Sequence, residues 1–241
     1  MTSWTDLADR LQHALALTSP PLAITFHAEP PAGVEPFDLP MPAPLEDGRT
    51  GRVPAGCVFW MHAAERTFST VAADHGNCSV GSLTHGFVTL DDVAGNGDVA
   101  ALLESGWVTM DVVPQIPVVH ERPGAVVYGP LAETPTDPDV VFLRLNAKQL
   151  MVLSDAIPGL RIEGKPQCHI VAVAKDQGEV AASVGCALSR VRTGMPATEM
   201  TCAIPAARLD GVVTAIERNA VADTTVARYA ADDATRFTAA P

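Results

Sequence analysis

The chain of 241 residues contains 47 % hydrophobic and 18 % charged residues, the composition of a globular protein large enough to bury a core of its own. Its formal net charge of −12 argues against a nucleic-acid partner, because such binding requires a basic surface. Aromatic residues make up only 5 %, so the core must be built mainly from aliphatic side chains.

The amino-terminal segment lacks the basic n-region of a signal peptide and is interrupted early by Asp6 and Asp9. No apolar run approaches the ~18 residues that a membrane span requires. We therefore expect a cytoplasmic protein without a membrane partner. In a reducing compartment the five cysteines are expected to be free, catalytic or bound to metal rather than paired in disulfides.

The first predicted element is an amphipathic helix over residues 4–17, capped by Ser3. A buried strand over 22–26 follows, and the proline-rich stretch 27–56 predicts a long loop. The next elements are an apolar segment over 57–64, a strand over 67–73, a helix that begins at Ser79, a helix over 98–106 and a strand over 107–113.

The second half of the chain alternates strands and helices without a strict βαβ rhythm. Its predicted elements are strands over 125–131, 140–145 and 169–175, a helix over 147–157 and a helix from Pro205 to about residue 222. We therefore predict a single α+β domain over residues 1–222, with a mixed β-sheet and flanking helices. Residues 223–241 are predicted to form a loosely ordered tail.

Four of the five cysteines lie at predicted element ends, beside Gly or Pro. A thiolate there gains backbone N–H hydrogen bonds, which lower its pKa and favour metal binding. Four such thiolates match the ligand count of a tetrahedral zinc site or a [4Fe–4S] cluster. Because the spacing contains no CxxC knuckle, four separate unligated thiols remain an alternative. The four are Cys57, Cys78, Cys168 and Cys186, whereas Cys202 is predicted to be a packed core residue.

Other side chains could take part in the chemistry of such a site. Asp74 and His75 precede Cys78 and are a candidate acid–base pair, with the alternative that they only stabilise a turn. His169 is a candidate ligand or proton donor, or a structural residue at the start of a strand. Arg190 could bind an anionic substrate or belong to a solvated face.

Several stretches resemble the uncharacterised ArCR family (domain of unknown function family 169), among them SPPLAITF, NCSVGSLTHGF and SVGCALSRVRTG. The resemblance covers roughly residues 5–220 and implies cysteines at the same four positions that local context selects. The chain departs from the family pattern at His169 and at Ala187-Leu188. Since the family's activity is not established, the resemblance implies a fold and a site but no reaction.

The four cysteines are scattered over about 130 residues (186−57), so they require a prefolded scaffold, which favours a [4Fe–4S] cluster over zinc. The leading hypothesis is an iron–sulfur lyase or oxidoreductase that acts on a small, anionic molecule. The alternative is a zinc or thiophilic-metal binding or sensor module without turnover. The sequence gives no indication of the oligomeric state.

Overall fold

The computed structural model describes residues 2–38, 56–163 and 167–238, and within these ranges it contains one sheet of seven strands. The strands are β1 (Leu22–His27), β2 (Phe68–Thr70), β3 (Ala125–Pro130), β4 (Val140–Leu145), β5 (Arg161–Glu163), β6 (Ala181–Ser183) and β7 (Met200–Pro205). Their order is β2-β3-β1-β4-β7-β6-β5, antiparallel except for the parallel pair β5–β6. This mixed sheet confirms the predicted α+β class.

Helices flank the sheet on both sides. They are α1 (Trp4–Leu15), α2 (Gly56–His62), α3 (Ser79–Thr84), α4 (Leu90–Val93), α5 (Gly97–Glu104), α6 (Ala147–Ala156), α7 (His169–Ala172), α8 (Ala187–Arg192), α9 (Leu209–Tyr229) and α10 (Ala231–Thr238). Among the described residues, none of these helices is both long enough and apolar enough to cross a membrane.

One face of the sheet, which we call the aliphatic face, is covered by α1, α6 and α9. Its buried side chains are mostly Leu, Val and Ile, with Leu11, Leu153 and Ile216 fully buried. The predicted cap of α1 is present, because the hydroxyl of Ser3 accepts a hydrogen bond from the Asp6 N–H at 3.1 Å. Cys202 in β7 packs into this face, as the sequence predicts.

The opposite face, which we call the thiol face, carries the side chains of Tyr128 and Phe142. The short helices α2, α3 and α7 cover it with a mixture of aromatic rings and cysteines. The ring centroids of Trp60 and Phe142 lie 4.2 Å apart, so α2 is anchored directly on strand β4. The fold therefore separates a mainly aliphatic core from a core in which aromatic rings pack beside Cys57 and Cys168.

Two predicted strands are wrong. The segment 169–175 forms α7 followed by a π-helical turn over Val173–Gln177, although its β-branched residues favour a strand. All six side chains of residues 169–174 are buried, so the polar face that would reveal a helical period is missing. Residues 107–113 form turns that lead into a 3-10 turn over Val113–Gln115.

The carboxyl-terminal region differs from its prediction in where the helix begins and ends. Pro205 closes strand β7, and α9 begins only at Leu209, after a 3-10 turn over Ala206–Arg208. The helix continues past residue 222 to Tyr229, and α10 follows, so the predicted loose tail is helical as far as residue 238. Residues 239–241, and the part of the predicted long loop over 39–55, lie outside the described residues.

Candidate functional site

Four cysteines from four separate places in the chain line one pocket on the thiol face. The pocket, which we call the thiol pocket, has a volume of about 470 Å³ that includes space open to solvent. Its cysteines are Cys57 in α2, Cys78 at the start of α3, Cys168 before α7 and Cys186 before α8. The fifth, Cys202, lies on the other face of the sheet.

The position of Cys78 follows from the way α3 begins. Cys78 is the N-cap residue with extended backbone angles, and its sulfur accepts a hydrogen bond from the Gly81 N–H at 3.3 Å. A Cβ atom on Gly81 would lie 3.2 Å from that sulfur, so the glycine gives the thiol room to approach the helix start. The open, glycine-rich sequence around Cys78 thus allows its sulfur to accept a hydrogen bond from the backbone N–H of Gly81.

Arg190 positions Cys186 without lining the pocket itself. Its guanidinium donates to the carbonyl oxygens of Val184 and Glu199, each at 2.8 Å, and so closes the loop around Cys186. Gly185 adopts a φ of +121°, and a Cβ atom there would lie 2.5 Å from the Arg190 guanidinium. The predicted anion-binding arginine is therefore placed as a loop-holding residue.

Burial keeps the thiols of Cys57 and Cys168 protonated when nothing is bound. Desolvation, together with the nearby charges of Cys78 and Cys186, raises the pKa of Cys57 to about 12. Burial also raises the pKa of Cys168 well above its usual value, with all three other pocket cysteines contributing in the same direction. The pKa of each of these two buried thiols thus depends on the charges of other cysteines in the pocket.

The donor set suits a soft metal or an iron–sulfur cluster, since thiolates are the preferred ligands of both. Within the described ranges, however, no three His, Cys, Asp or Glu side chains are arranged to hold a metal ion. Three polar side chains share the lining with the thiols and the apolar groups. The Gln167 amide nitrogen donates to the Ser189 hydroxyl at 3.2 Å, and the Thr193 hydroxyl donates to the Ser189 carbonyl oxygen at 2.6 Å. The four thiols therefore suit a soft metal or an iron–sulfur cluster chemically, but they are not arranged as a complete set of ligands.

The predicted acid–base pair lies outside the pocket lining. The Asp74 carboxylate accepts from the Val71 N–H at 2.8 Å and so caps a 3-10 turn. His75 is fully buried, and its ring nitrogen Nε2 lies 3.0 Å from the hydroxyl of Thr70. That hydroxyl donates its hydrogen to the Val126 carbonyl oxygen, so in the contact with His75 the ring N–H at Nε2 is the donor and the hydroxyl oxygen is the acceptor. Burial holds the pKa of His75 well below its usual value, which keeps the ring neutral.

His169 also takes a structural position, although it follows Cys168 directly in the chain. Its side chain is only 3 % exposed and does not line the pocket. Nε2 lies 3.1 Å from a carboxylate oxygen of Glu163 in β5. Burial lowers the pKa of His169, and the neighbouring Glu163 opposes that shift. The contact ties α7 to the edge strand of the sheet.

The apolar walls of the pocket were not predicted from the sequence. Trp60 and Trp107 line it together with Val80, Leu102 and Leu188. The two tryptophans were the available signal, because the chain has only three tryptophans and few aromatic residues of any kind.

The model of the family described as Uncharacterised ArCR matches residues 10–215 of the chain, which includes all four pocket cysteines. No curated protein and no solved structure matches the chain.

Proposed function

The chain belongs to the uncharacterised ArCR family, and we propose that its thiol pocket binds a [4Fe–4S] cluster for redox or lyase chemistry on a small molecule. One observation carries the proposal: four cysteines that the sequence scatters over about 130 residues (186−57) line the same pocket. The fifth cysteine, which has no place in the proposed site, lies on the other face of the sheet. A cytoplasmic location, which keeps thiols reduced, is part of the same proposal.

The distribution of the ligands favours a cluster over a structural zinc ion. Each cysteine comes from a different element, so the scaffold must fold before the ligands meet. A zinc ion that holds a fold together usually takes its ligands in close sequence pairs. When bound, a cluster would supply electron transfer or an open iron for Lewis-acid chemistry.

The protein's own contribution is to hold the thiols in an apolar pocket and to release their protons on loading. Because the pKa of Cys57 is raised to about 12 and that of Cys168 also lies high, ligation must displace protons from both. Loading is therefore expected to become more favourable as the pH rises. Burial of the ligands limits the access of water, which strengthens electrostatic effects at the site.

A second candidate is a zinc or thiophilic-metal binding or sensor module without turnover. The observation that favours it is the placement of Asp74, His75 and His169 outside the pocket lining. Among the described residues, the lining contains no carboxylate or imidazole that could transfer a proton to or from a substrate. Nor does a cation line the pocket in the part of the chain that the structure describes, so an anionic substrate would lack the charge that Arg190 was predicted to supply.

Metal and sulfide analysis of protein purified without oxygen tests the proposal. We expect brown protein with iron, acid-labile sulfide and broad absorption near ~400 nm. Cys168→Ala should lose most of the iron, whereas the matched control Cys202→Ala, which removes a thiol from the other face, should keep it. Colourless protein with stoichiometric zinc would establish the second candidate instead.

Two results would overturn both candidates. One is wild-type protein that carries neither iron nor zinc after anaerobic purification. The other is a loss of metal in Cys202→Ala as large as that in Cys168→Ala, because the metal would then not depend on the pocket thiols.

A further inference from the structure

A second pocket, of about 250 Å³, lies at the end of strand β4, where helix α6 begins. We call it the polar pocket. Three stretches of the chain build it, residues 18–19, 144–149 and 196–199, and among the described residues it shares no lining residue with the thiol pocket. Its volume is several times the ~30 Å³ that one water molecule takes up in the liquid, so it can hold a small organic molecule.

A buried pair of opposite charges lies in the lining of the polar pocket. The Arg144 guanidinium donates from Nε and Nη2 to the two carboxylate oxygens of Glu199, at 2.9 and 2.7 Å. The two side chains are only 16 % and 9 % exposed. Because the desolvation of such a pair offsets most of the attraction between its charges, its contribution to stability does not explain why it is buried. The pair offers a positive and a negative group to a ligand within one small space.

Several groups in the lining keep hydrogen-bonding capacity. Nη1 of Arg144 has no partner among the described residues, and each Glu199 oxygen can accept a second hydrogen bond. The Asn146 side chain accepts from the Gln149 N–H through Oδ1, which leaves its amide N–H groups as donors. The hydroxyl oxygen of Ser19 is buried and, within the described part of the chain, also lacks a partner. These groups can all serve a bound ligand.

Hydrogen bonds hold the walls of the polar pocket in place before any ligand binds. The Gln149 side-chain amide donates to the carbonyl oxygens of Leu15 and Ala16, at 3.1 and 3.0 Å, and so fixes the start of α6 against the end of α1. The Arg190 guanidinium holds the Glu199 backbone through its carbonyl oxygen at 2.8 Å. A preformed site of this kind spends little of its binding free energy on ordering its own side chains.

We propose that the polar pocket binds a small amino acid in its zwitterionic form. The carboxylate of the ligand accepts from Arg144 Nη1 and from the Asn146 amide, beside the N-terminus of α6, where a negative charge is favourable. The ammonium group donates to Glu199. Since the ion pair carries no net charge, a zwitterion leaves the pocket neutral, whereas a simple anion or cation would add an uncompensated charge.

Isothermal titration calorimetry of the full-length protein with L-serine, L-alanine and two serine analogues tests this assignment. The analogue 3-hydroxypropionate lacks the ammonium group, and ethanolamine lacks the carboxylate. We expect both amino acids to bind and each analogue to bind at least tenfold more weakly than serine, because it loses charge-assisted hydrogen bonds. Equal affinity for serine and 3-hydroxypropionate would overturn the zwitterion, and the absence of binding by both amino acids would overturn the site.

The variant Glu199→Gln gives a test that a purely structural ion pair would fail. It keeps the shape of the side chain but leaves the charge of Arg144 uncompensated, so the pocket becomes positive. We expect the preference to reverse, with 3-hydroxypropionate binding at least tenfold more tightly than serine. Equal loss of affinity for both ligands would show that Glu199 does not contact the ammonium group and would overturn the proposal.

The variant Asn146→Asp tests the other end of the ligand and does not break the ion pair. Aspartate keeps an acceptor for the cap of α6, but it removes the amide donors and adds a negative charge. Serine should bind at least tenfold more weakly. Asn219→Asp, the same change on α9 outside the polar pocket, should bind serine as the wild type does. Equal weakening in both variants would contradict the placement of the carboxylate and overturn the proposal.

Discussion

The two faces of the sheet differ in the length of the helices that cover them and in the side chains that they bury. The aliphatic face rests on α1, α6 and α9, regular helices of 12, 10 and 21 residues whose buried side chains are almost all hydrocarbon. The thiol face is covered by helices of four to seven residues, α2, α3 and α7. Short helices offer many ends, and three of the four pocket cysteines lie at such ends. One face therefore rests on long, regular helices, whereas the other places cysteines at the ends of short ones.

A cavity in the aliphatic face should have the largest effect on stability. Leu153 in α6 is fully buried, and Leu153→Ala should lower the free energy of unfolding by about 3 kcal/mol, within the range for buried leucines. Urea denaturation measures the change. Met151→Ala, on the same helix but at a position 52 % exposed, should change it by less than about 0.5 kcal/mol. A small effect at Leu153 would break the comparison, because this face would then not hold the fold together.

Acid should destabilise the protein through two buried histidines on the thiol face. Burial lowers the pKa of His85 from 6.5 to about 4, and it also holds the pKa of His75 well below its usual value. Below pH 6.5 these histidines are therefore protonated in the unfolded chain but remain neutral in the folded one. The free energy of unfolding consequently decreases as the pH falls from 6.5 to about 4. The loss from His85 alone should be about 3 kcal/mol.

Denaturation curves between pH 4 and pH 8 check this expectation. His85→Gln should reduce the slope of stability against pH in that window, while the His75 contribution persists. His120→Gln, which removes an imidazole that is 80 % exposed, is the control and should leave the slope nearly unchanged. An unaltered slope in His85→Gln would contradict the assignment of this acid sensitivity to the thiol face.

The loop around Cys186 offers a sharper comparison within the thiol face. Gly185→Ala forces a φ of +121° on a residue with a side chain and drives its Cβ into the Arg190 guanidinium, so stability should fall by about 2 kcal/mol. Metal content should fall as well, because Cys186 is the next residue. Gly194→Ala meets the backbone strain of a φ of +75° in open space and should cost about 1 kcal/mol without loss of metal. Equal metal content in both variants would contradict the loop-holding role of Arg190.

The smallest expected effect returns to the aliphatic face. Ser3→Ala removes the hydroxyl that accepts from the Asp6 N–H and should destabilise the protein by about 1 kcal/mol. Ser3→Asp restores an acceptor and should return stability to near the wild-type value. Thermal unfolding followed by circular dichroism measures both. If the two variants are equally destabilised, the cap contributes nothing and the stability of α1 comes from packing alone.

Periodicity was sufficient to predict the regular parts of the fold. The sequence predicts α1, α6, β3 and β4 close to their observed bounds, because each has one buried side or a clear apolar run with turn residues around it. It fails at α7, where residues 169–174 are buried on every side and a β-branched run looks the same in a helix and in a strand. Burial of that kind is set by neighbours far away in the chain.

Only those features of the site that depend on neighbouring residues in the sequence were predictable. The positions of the pocket cysteines at element ends were visible, because glycine and proline mark such ends. Asp74 and His75 were selected by their closeness to Cys78 in sequence, but the 3-10 turn directs one side chain to the surface and the other into the core. The apolar walls of the thiol pocket were not visible at all, since they come from several short segments that only the tertiary fold brings together.

Strand β7 has a consequence for how many sulfurs can reach the thiol pocket. Cys202 pairs with Leu143 on one side and Ala182 on the other, and all three face the aliphatic core, while the next residue, Ala203, faces the thiols. Sliding the strand by a single position would exchange these two side chains. A fifth sulfur would then lie on the thiol face, and the hydrocarbon core would lose one of its members. The pairing register of the sheet therefore keeps Cys202 on the opposite side of the sheet from the other four thiols.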